Sequence, residues 1–378
     1  MNNSARPVKL EIRGGIDRLS IGAAAELDSL RDVSARIGSD LLLAQAATGN
    51  TSIKLDGILW VKASGRWLAH ARDEEIFVPV NLDEALARIA HGVDASAQSA
   101  SAGGKLLQTS IETSMHAVLP HRVVIHVHSV NTIALAVRQD GPSVLASRLD
   151  GIKWRWIPYV PSGLGLARAV ESVVAAAPET TVFVLANHGL IVCGDDCHSA
   201  EALLREVERR VATEPRTAPE PEWLVLERIA REWGWLAPGI GALHAIGTDR
   251  QARRVICGGV LYPCQAMFLA ARVSMFPASY LPTEKDQIDQ PFIIVEEAGV
   301  LARRRPAAAE TATLAGLAHV LLRIPESALV SYLSGEQIDE LLRTDVHRYK
   351  AMVQENADLM PIVESIAGHE TTVPEWAT

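Results

Sequence analysis

Two histidines, His126 and His128, stand one residue apart in the segment VVIHVHSV. On an extended strand residues i and i+2 point to one face, so both imidazoles project together while Val123, Ile125 and Val127 take the opposite, buriable face. That presentation suits a single metal ion; the plainer alternative is a pair of polar side chains on a half-exposed face. A third histidine, His188, lies in NHG, after the apolar stretch Val182 to Leu185 and before Gly189. A histidine at a strand end, in a glycine turn, can enter a site built by a neighbouring strand, though alone it reads more simply as a turn residue bonded to backbone. Three histidines with a fourth position open suit a catalytic zinc ion, or another divalent transition metal, whose shell water or substrate completes.

Glu112 and His116 are four apart in TSIETSMHAVLP, with Ser110 placed to cap a short helix and Pro120 limiting it. The spacing puts both on one helical face, which is also the pattern of an ordinary i, i+4 pair. Because the segment leads into the HxH strand, a carboxylate beside the metal is geometrically reasonable. Such a glutamate serves as a ligand at rest and as a base once substrate displaces it. GNTS (Gly49 to Ser52) and KASG (Lys62 to Gly65) flank a strand-like stretch. Their backbone N–H groups, with Ser64 or Lys62, can cradle a phosphate, but as hairpin turns they need no function, and neither matches a P-loop or dinucleotide fingerprint. CGDDCH (Cys193 to His198) has a C-x3-C spacing without a second ligand pair, so Asp195 or Asp196 is read as a helix cap instead.

Strands and helices must carry these groups to one place. Residues 22 to 46 read as helix, and GILWVKAS, VVIHVHSV and TVFVLANHG as strands, the last turning into LIVCG. IPYVPSGLGLA precedes a helix from about Leu166, and DASAQSASAGGK (94 to 105) reads as a mobile surface loop. Ala200, Leu203, Leu204, Val207 and Val211 keep helical spacing up to TEPRTAPEPE (213 to 222), whose three prolines mark a boundary. We therefore divide the chain into a catalytic domain, 1–215, and a smaller C-terminal α/β domain, 223–378. In the latter GGVLYPCQAMFLA and FIIVEEAGVLARR resemble strands, with a turn at Gly299, and an alanine-rich helix spans about 307 to 323. Ser334 and Gln337 form a capping box. His244, His319 and His347 read as surface or core residues.

The chain has 378 residues, 48% apolar and 21% charged, enough for one large or two domains. A net charge of −9 without a basic run points away from nucleic acid and towards a small-molecule substrate. Four cysteines without a CxxC pair suit a reducing compartment. With no secretory signal in MNNSARPVKL and no apolar run near the ~20 residues of a membrane span, the expected location is cytoplasmic.

Taken in order, Gly49-Asn50-Thr51-Ser52, Lys62-Ala63-Ser64-Gly65, Ser110 to His116, His126 to His128 and His188-Gly189 resemble the class II aldolase/adducin family over roughly residues 30 to 215. The wording is closest to the aldolase portion of bacterial rhamnulose-phosphate aldolase/dehydrogenase fusions, without a GxGxxG following. The resemblance implies a three-layer α/β/α sandwich around a mainly antiparallel sheet, assembled as a homo-oligomer, usually a tetramer. It implies zinc on His126, His128 and His188, Glu112 as catalytic acid/base, and substrate phosphate held at Asn50, Ser64, Gly65 and Ser110. One departure is Ile111, where many sugar-phosphate aldolases carry a second serine; it removes a phosphate ligand. A proton-donating tyrosine is common in the family, and Tyr159 is a candidate only by standing near a predicted loop.

The implied activity is aldol cleavage or formation in a sugar phosphate or related hydroxy-carbonyl compound, through a metal-stabilised enediolate. Decarboxylation or epimerisation can use the same site. Epimerases of the family tend to carry Asp at the Glu112 position, which leans towards an aldolase. A non-catalytic, adducin-like scaffold is the rival of another class, and the complete histidine and glutamate set counts against it.

Overall fold

Alternating buried positions and short turns decide the path of the first half of the chain. The computed structural model describes residues 21–97, 99–102, 105–279, 290–343 and 346–355; the N-terminal segment MNNSARPVKL lies outside them. Helix α1 (Ile21–Gly38) leads to strands β1 (Asn50–Leu55), β2 (Ile58–Lys62) and β3 (Phe77–Asn81), then to helix α2 (Leu82–Ala90). Asp56 and Gly57, with φ of 51° and 77°, form the two-residue turn that pairs Leu55 with Ile58, as a right-twisted hairpin requires. Asn81 starts α2 by accepting from the Glu84 amide at 3.0 Å. Strands β4 (Ser99–Ala102) and β5 (Lys105–Gln108) form a hairpin where the sequence suggested a loop. Small residues hide a strand's usual alternation of apolar and polar types, which is why composition alone misread this segment.

Helix α3 (Thr113–Val118) and strand β6 (Val123–Val127) follow, then helices α4 (Val130–Ala136) and α5 (Gly141–Arg148). Strand β7 (Trp154–Ile157), helix α6 (Leu164–Ala176), strands β8 (Val182–Leu185) and β9 (Gly189–Gly194) and helix α7 (Cys197–Val211) complete this half. Asp196 caps α7, accepting from the Ser199 amide at 2.7 Å, as expected from CGDDCH. Burial pushes the thiols of Cys193 and Cys197 up to about 12 and about 11.

Contacts divide the described chain into two compact units. The first takes in the residues up to Ser39, then Ala47–Val127 and Leu149–Arg210; the second takes in Asp40–Ala46, His128–Arg148 and the chain from Val211. The first unit is built on a seven-stranded sheet ordered β3-β2-β1-β6-β9-β8-β7, antiparallel at every pairing except β7 with β8. On one face Val124, Phe183, Leu185 and Ile191 pack against Met115 and Leu119 from and just beyond α3 and against Leu166 and Val170 of α6. Each such side chain, fully buried, contributes about 1.5–3 kcal/mol. On the other face α1 meets β1, where the Ser34 and Thr51 hydroxyls lie 2.7 Å apart, and Arg36 ties α1 to Glu201 of α7 at 2.6 Å. The expected three-layer arrangement around a mainly antiparallel sheet is therefore present. The half-buried Lys54 amine donates to the Leu119 and His121 carbonyls (2.7 and 2.8 Å), fixing the connection from α3 into β6.

The second unit holds helices α8 (Trp223–Trp233), α9 (Gly241–Thr248) and α10 (Arg250–Gly258) and a smaller sheet of β10 (Met275–Pro277), β11 (Phe292–Glu296) and β12 (Gly299–Ala302). Helices α11 (Ala308–Leu322), α12 (Gly335–Arg343) and α13 (Val346–Glu355) follow. Leu226 and Ile229 pack on Ile293, Val295 and Leu301. The Ser334–Gln337 capping box forms as expected, with bonds of 2.8 and 3.2 Å. His244 is a core histidine, fully buried between the Pro238 carbonyl (2.7 Å) and the Val300 amide (3.1 Å). GGVLYPCQAMFLA is not a strand. Pro263 lacks an N–H, and Gln265 replaces a ladder by accepting from the Leu261 amide (2.8 Å) and donating to the Gly259 carbonyl (3.3 Å) before a π-turn at Gln265–Leu269. Among the described residues no helix is long and apolar enough to cross a membrane.

Candidate functional site

The site grows from the register of β1 on β6. Asn50 pairs with His126 and Ser52 with Val124, so the two polar residues of β1 lie on the sheet face that carries His126. Gly49 permits the approach: its φ is +72°, and a Cβ there would stand 2.8 Å from the His126 carbonyl. Helix α3 lies over this face. Glu112 occupies its N-cap position and His116 follows one turn later. A helix rises ~6 Å over four residues and a strand ~6.6 Å over two, so the pair 112/116 matches the pair 50/52. Asn50 Nδ2 donates to Glu112 Oε2 at 2.5 Å, and Ser52 Oγ lies 2.7 Å from His116 Nδ1.

Beyond Asn50 the carboxylate meets the histidines. Glu112 Oε1 lies 3.5 Å from His126 Nε2 and 3.3 Å from His188 Nε2, and Ser162 Oγ donates to it at 3.1 Å. His188 arrives on the turn between β8 and β9, where Asn187 adopts a left-handed φ of 51° and the His188 amide donates to the Leu185 carbonyl at 3.2 Å. The rings of His126 and His188 meet edge-on with centroids 5.0 Å apart. His128 follows β6 directly, on the face of His126. One ring nitrogen from each of His126, His128 and His188 lies within 4.8 Å of the other two, and all three residues are buried.

The electrostatics suit a cation. Burial alone would raise the Glu112 carboxyl, but positive charge at the His126 and His188 rings outweighs it and holds the carboxyl well below the usual range, so the carboxylate is stabilised by a cation at this spot. Burial lowers His188, against the pull of Glu112, which favours the neutral imidazole that a metal needs. His126 Nδ1 lies 3.0 Å from the Leu190 carbonyl, which only accepts, so Nδ1 is the donor there and Nε2 is the nitrogen turned towards Glu112. Three imidazole nitrogens beside a carboxylate fit zinc or a similar divalent transition metal. Burial drives His116 down to about 3, despite the nearby Glu112, so it remains neutral against Ser52.

The positions expected to hold a phosphate are partly engaged within the protein. Ser110 Oγ accepts from the Glu112 amide at 3.2 Å, so Ser110 precedes α3 and does not cap it. The Ser64 amide donates to the Gln108 carbonyl at 2.9 Å, and Gly65 turns with φ +72°. The buried Lys62 amine donates to the Ala47 and Arg66 carbonyls (2.6 and 2.8 Å), holding the two turns together. Ile111 is 48% exposed beside Glu112. Sequence reasoning missed Ser162 and the left-handed Asn187; the small-residue run PSG before α6 was the only hint of the first.

The profile of the Class II Aldolase and Adducin N-terminal domain matches residues 32–214. The uncharacterized oxidoreductase YuxG of Bacillus subtilis (strain 168) is 28% identical over 174 residues, which cover 42% of this chain and 25% of that protein; the chain thus spans a quarter of this relative's length. The N-terminal class II aldolase domain of a conserved Thermoplasma acidophilum protein is 23% identical, with a TM-score of 0.42 and coverage of 53% of this chain and 97% of its own. L-fuculose-1-phosphate aldolase from Thermus thermophilus is 18% identical, with a TM-score of 0.36 and coverage of 57% and 98%.

Proposed function

Residues 32–214 belong to the class II aldolase and adducin family, and from that premise we propose that the chain is a metal-dependent lyase that breaks or forms a carbon–carbon bond in a hydroxy-carbonyl compound. The observation that carries this reading is the convergence of one buried carboxylate, Glu112, on His126 and His188 at 3.5 and 3.3 Å, with His128 in the same group of nitrogens. We assign His126, His128 and His188 to zinc or another divalent transition metal; when bound, such an ion supplies Lewis acidity towards a carbonyl oxygen.

Glu112 takes, or returns, the proton at the carbon whose bond forms or breaks. A carboxylate held ionised is ready to accept, and its donors Asn50 and Ser162 fix one oxygen each, so the group acts from a defined orientation. The burial of Glu112, His126 and His188 keeps bulk water from the carbanionic carbon. Asn50, Ser64, Gly65 and Ser110 line the substrate on this reading. A phosphate there meets the hydroxyl of Ser64 and the turn at Gly65, while the exposed Ile111 side chain favours a substrate without one.

The test is direct. The chain is loaded with zinc and incubated with hydroxy-carbonyl compounds, phosphorylated and not, in deuterated water under NMR. Release of an aldehyde supports the lyase. Loss of carbon dioxide without an aldehyde makes it a decarboxylase, and inversion at a hydroxyl-bearing carbon an epimerase. Failure to take up metal, with no deuterium entering any compound, sinks the reading.

A further inference from the structure

We infer that Cys264 is a positioning residue for His128, an inference that rests on the reading of His126, His128 and His188 as metal ligands. Cys264 Sγ lies 3.4 Å from His128 Nδ1, and both residues are buried, at 7% and 5% exposure. With Nδ1 facing the thiol, Nε2 is the nitrogen His128 has for an ion. A neutral imidazole that binds through Nε2 carries its proton on Nδ1 and requires an acceptor there. For His126 that acceptor is the Leu190 carbonyl, part of the sheet itself. For His128 it is a sulfur atom from a residue 136 positions further along the chain.

The surroundings of both residues hold this contact in place. The His128 carbonyl accepts from Gln45 Nε2 at 3.3 Å, and the same amide donates to the Leu41 carbonyl at 2.6 Å. Gln45 packs against Gly316 of α11, where a Cβ would stand 2.5 Å from Gln45 Cγ. Cys264 precedes the π-turn that Gln265 anchors by its bonds to the Leu261 amide and the Gly259 carbonyl. All of these residues belong to the second unit. One metal-binding histidine is thus met at Nδ1 by Cys264, a residue outside the segment 32–214 that carries the family pattern. Sulfur accepts a hydrogen bond more weakly than a carbonyl oxygen, so it directs the His128 ring while drawing less charge onto it.

The experiment uses the full chain and Co2+ as the probe, with affinity measured by chelator competition and the coordination read from visible absorption. Cys264→Ala is expected to lose roughly 10–100-fold in affinity, the usual cost of removing an outer partner, and to shift the d–d bands, with near-UV circular dichroism unchanged. Cys264→Ser, which restores an acceptor, is expected to recover most of the affinity. Should the alanine variant fail to fold, the serine variant carries the test through its band shift. Wild-type affinity and bands in the variants overturn the inference alone. An intense sulfur-to-cobalt charge-transfer band in the wild type, lost on substitution, makes Cys264 a ligand and overturns the positioning role. A wild type that takes up no Co2+ overturns the metal reading, and this inference with it.

Discussion

Helix α3 meets strand β1 twice, one turn apart, and the two meetings have different surroundings. At one, Asn50 holds Glu112; at the other, Ser52 holds His116. Both pair a titratable group with a polar strand residue, and all four side chains are buried. Glu112 also faces His126, His188 and Ser162, whereas His116 sits one turn deeper, where α3 packs with Met115 and Leu119 on the apolar sheet face. Burial and a hydrogen bond are therefore not what distinguishes a reactive group here. Convergence of several groups able to bind or move charge is, and the Ser52–His116 pair serves as an internal control within the same helix.

Four experiments can break or sharpen that contrast. Glu112→Gln is expected to retain metal and fold but lose turnover by about 10²–10⁴-fold; full activity would place Glu112 with His116 as a structural residue. His188→Ala should cost more metal affinity, by chelator competition, than the roughly 10–100-fold typical of an outer partner, whereas His116→Leu should leave it unchanged. Equal losses would erase the distinction between the two meetings.

His116 has a pH signature of its own. Its folded pKa of about 3 lies below its unfolded value, so the unfolded chain binds the extra proton first. Its contribution is fully present above about pH 6.5 and is lost as pH falls towards 3, at up to about 1.4 kcal/mol per pH unit. Denaturant titrations from pH 7 to 4 should show a shallower loss in the double variant Ser52→Ala/His116→Leu, and parallel curves would refute the assignment. The smallest effect is expected of Ser162→Ala. Losing one bond to a carboxylate should lower turnover roughly 10-fold, equivalent to about 1.4 kcal/mol, without changing stability, and an unchanged rate would remove Ser162 from the site.

The histidine-bearing strands were legible because they rest on short-range periodicity, whereas β3 and β7 were not read as strands. An HxH pair on a strand reveals its face by a period of two, and the NHG turn reveals its place by the apolar run before it. Pairings across long sequence distances were not legible. Ser162 reaches Glu112 from 50 residues away and Ser52 reaches His116 from 64, through the stacking of helix on sheet, which no local pattern encodes. The hairpin at Ser99–Gln108 and the π-turn at Gln265–Leu269 escaped for opposite reasons. The first has side chains too small to show alternation, and the second is an apolar run whose backbone is satisfied by a glutamine side chain. Lys62 was one of two alternatives for a phosphate contact, and its amine donates to the Ala47 and Arg66 carbonyls, partners that no local pattern encodes.

The division of the second unit among three stretches of chain bears on how the protein is made. Val130, Ile133 and Leu135 of α4 are each about 1% exposed in the folded unit, and Asn131 bonds Arg323, 192 positions later. At a ribosomal pace of about 5–20 residues per second, that partner is synthesised roughly 10–40 s after α4. For that interval a nascent chain presents an apolar helix that lacks the cover α11 supplies in the folded unit. Expression at lower temperature or with added holdase chaperones should raise the yield of folded protein more than any change to the seven-stranded sheet.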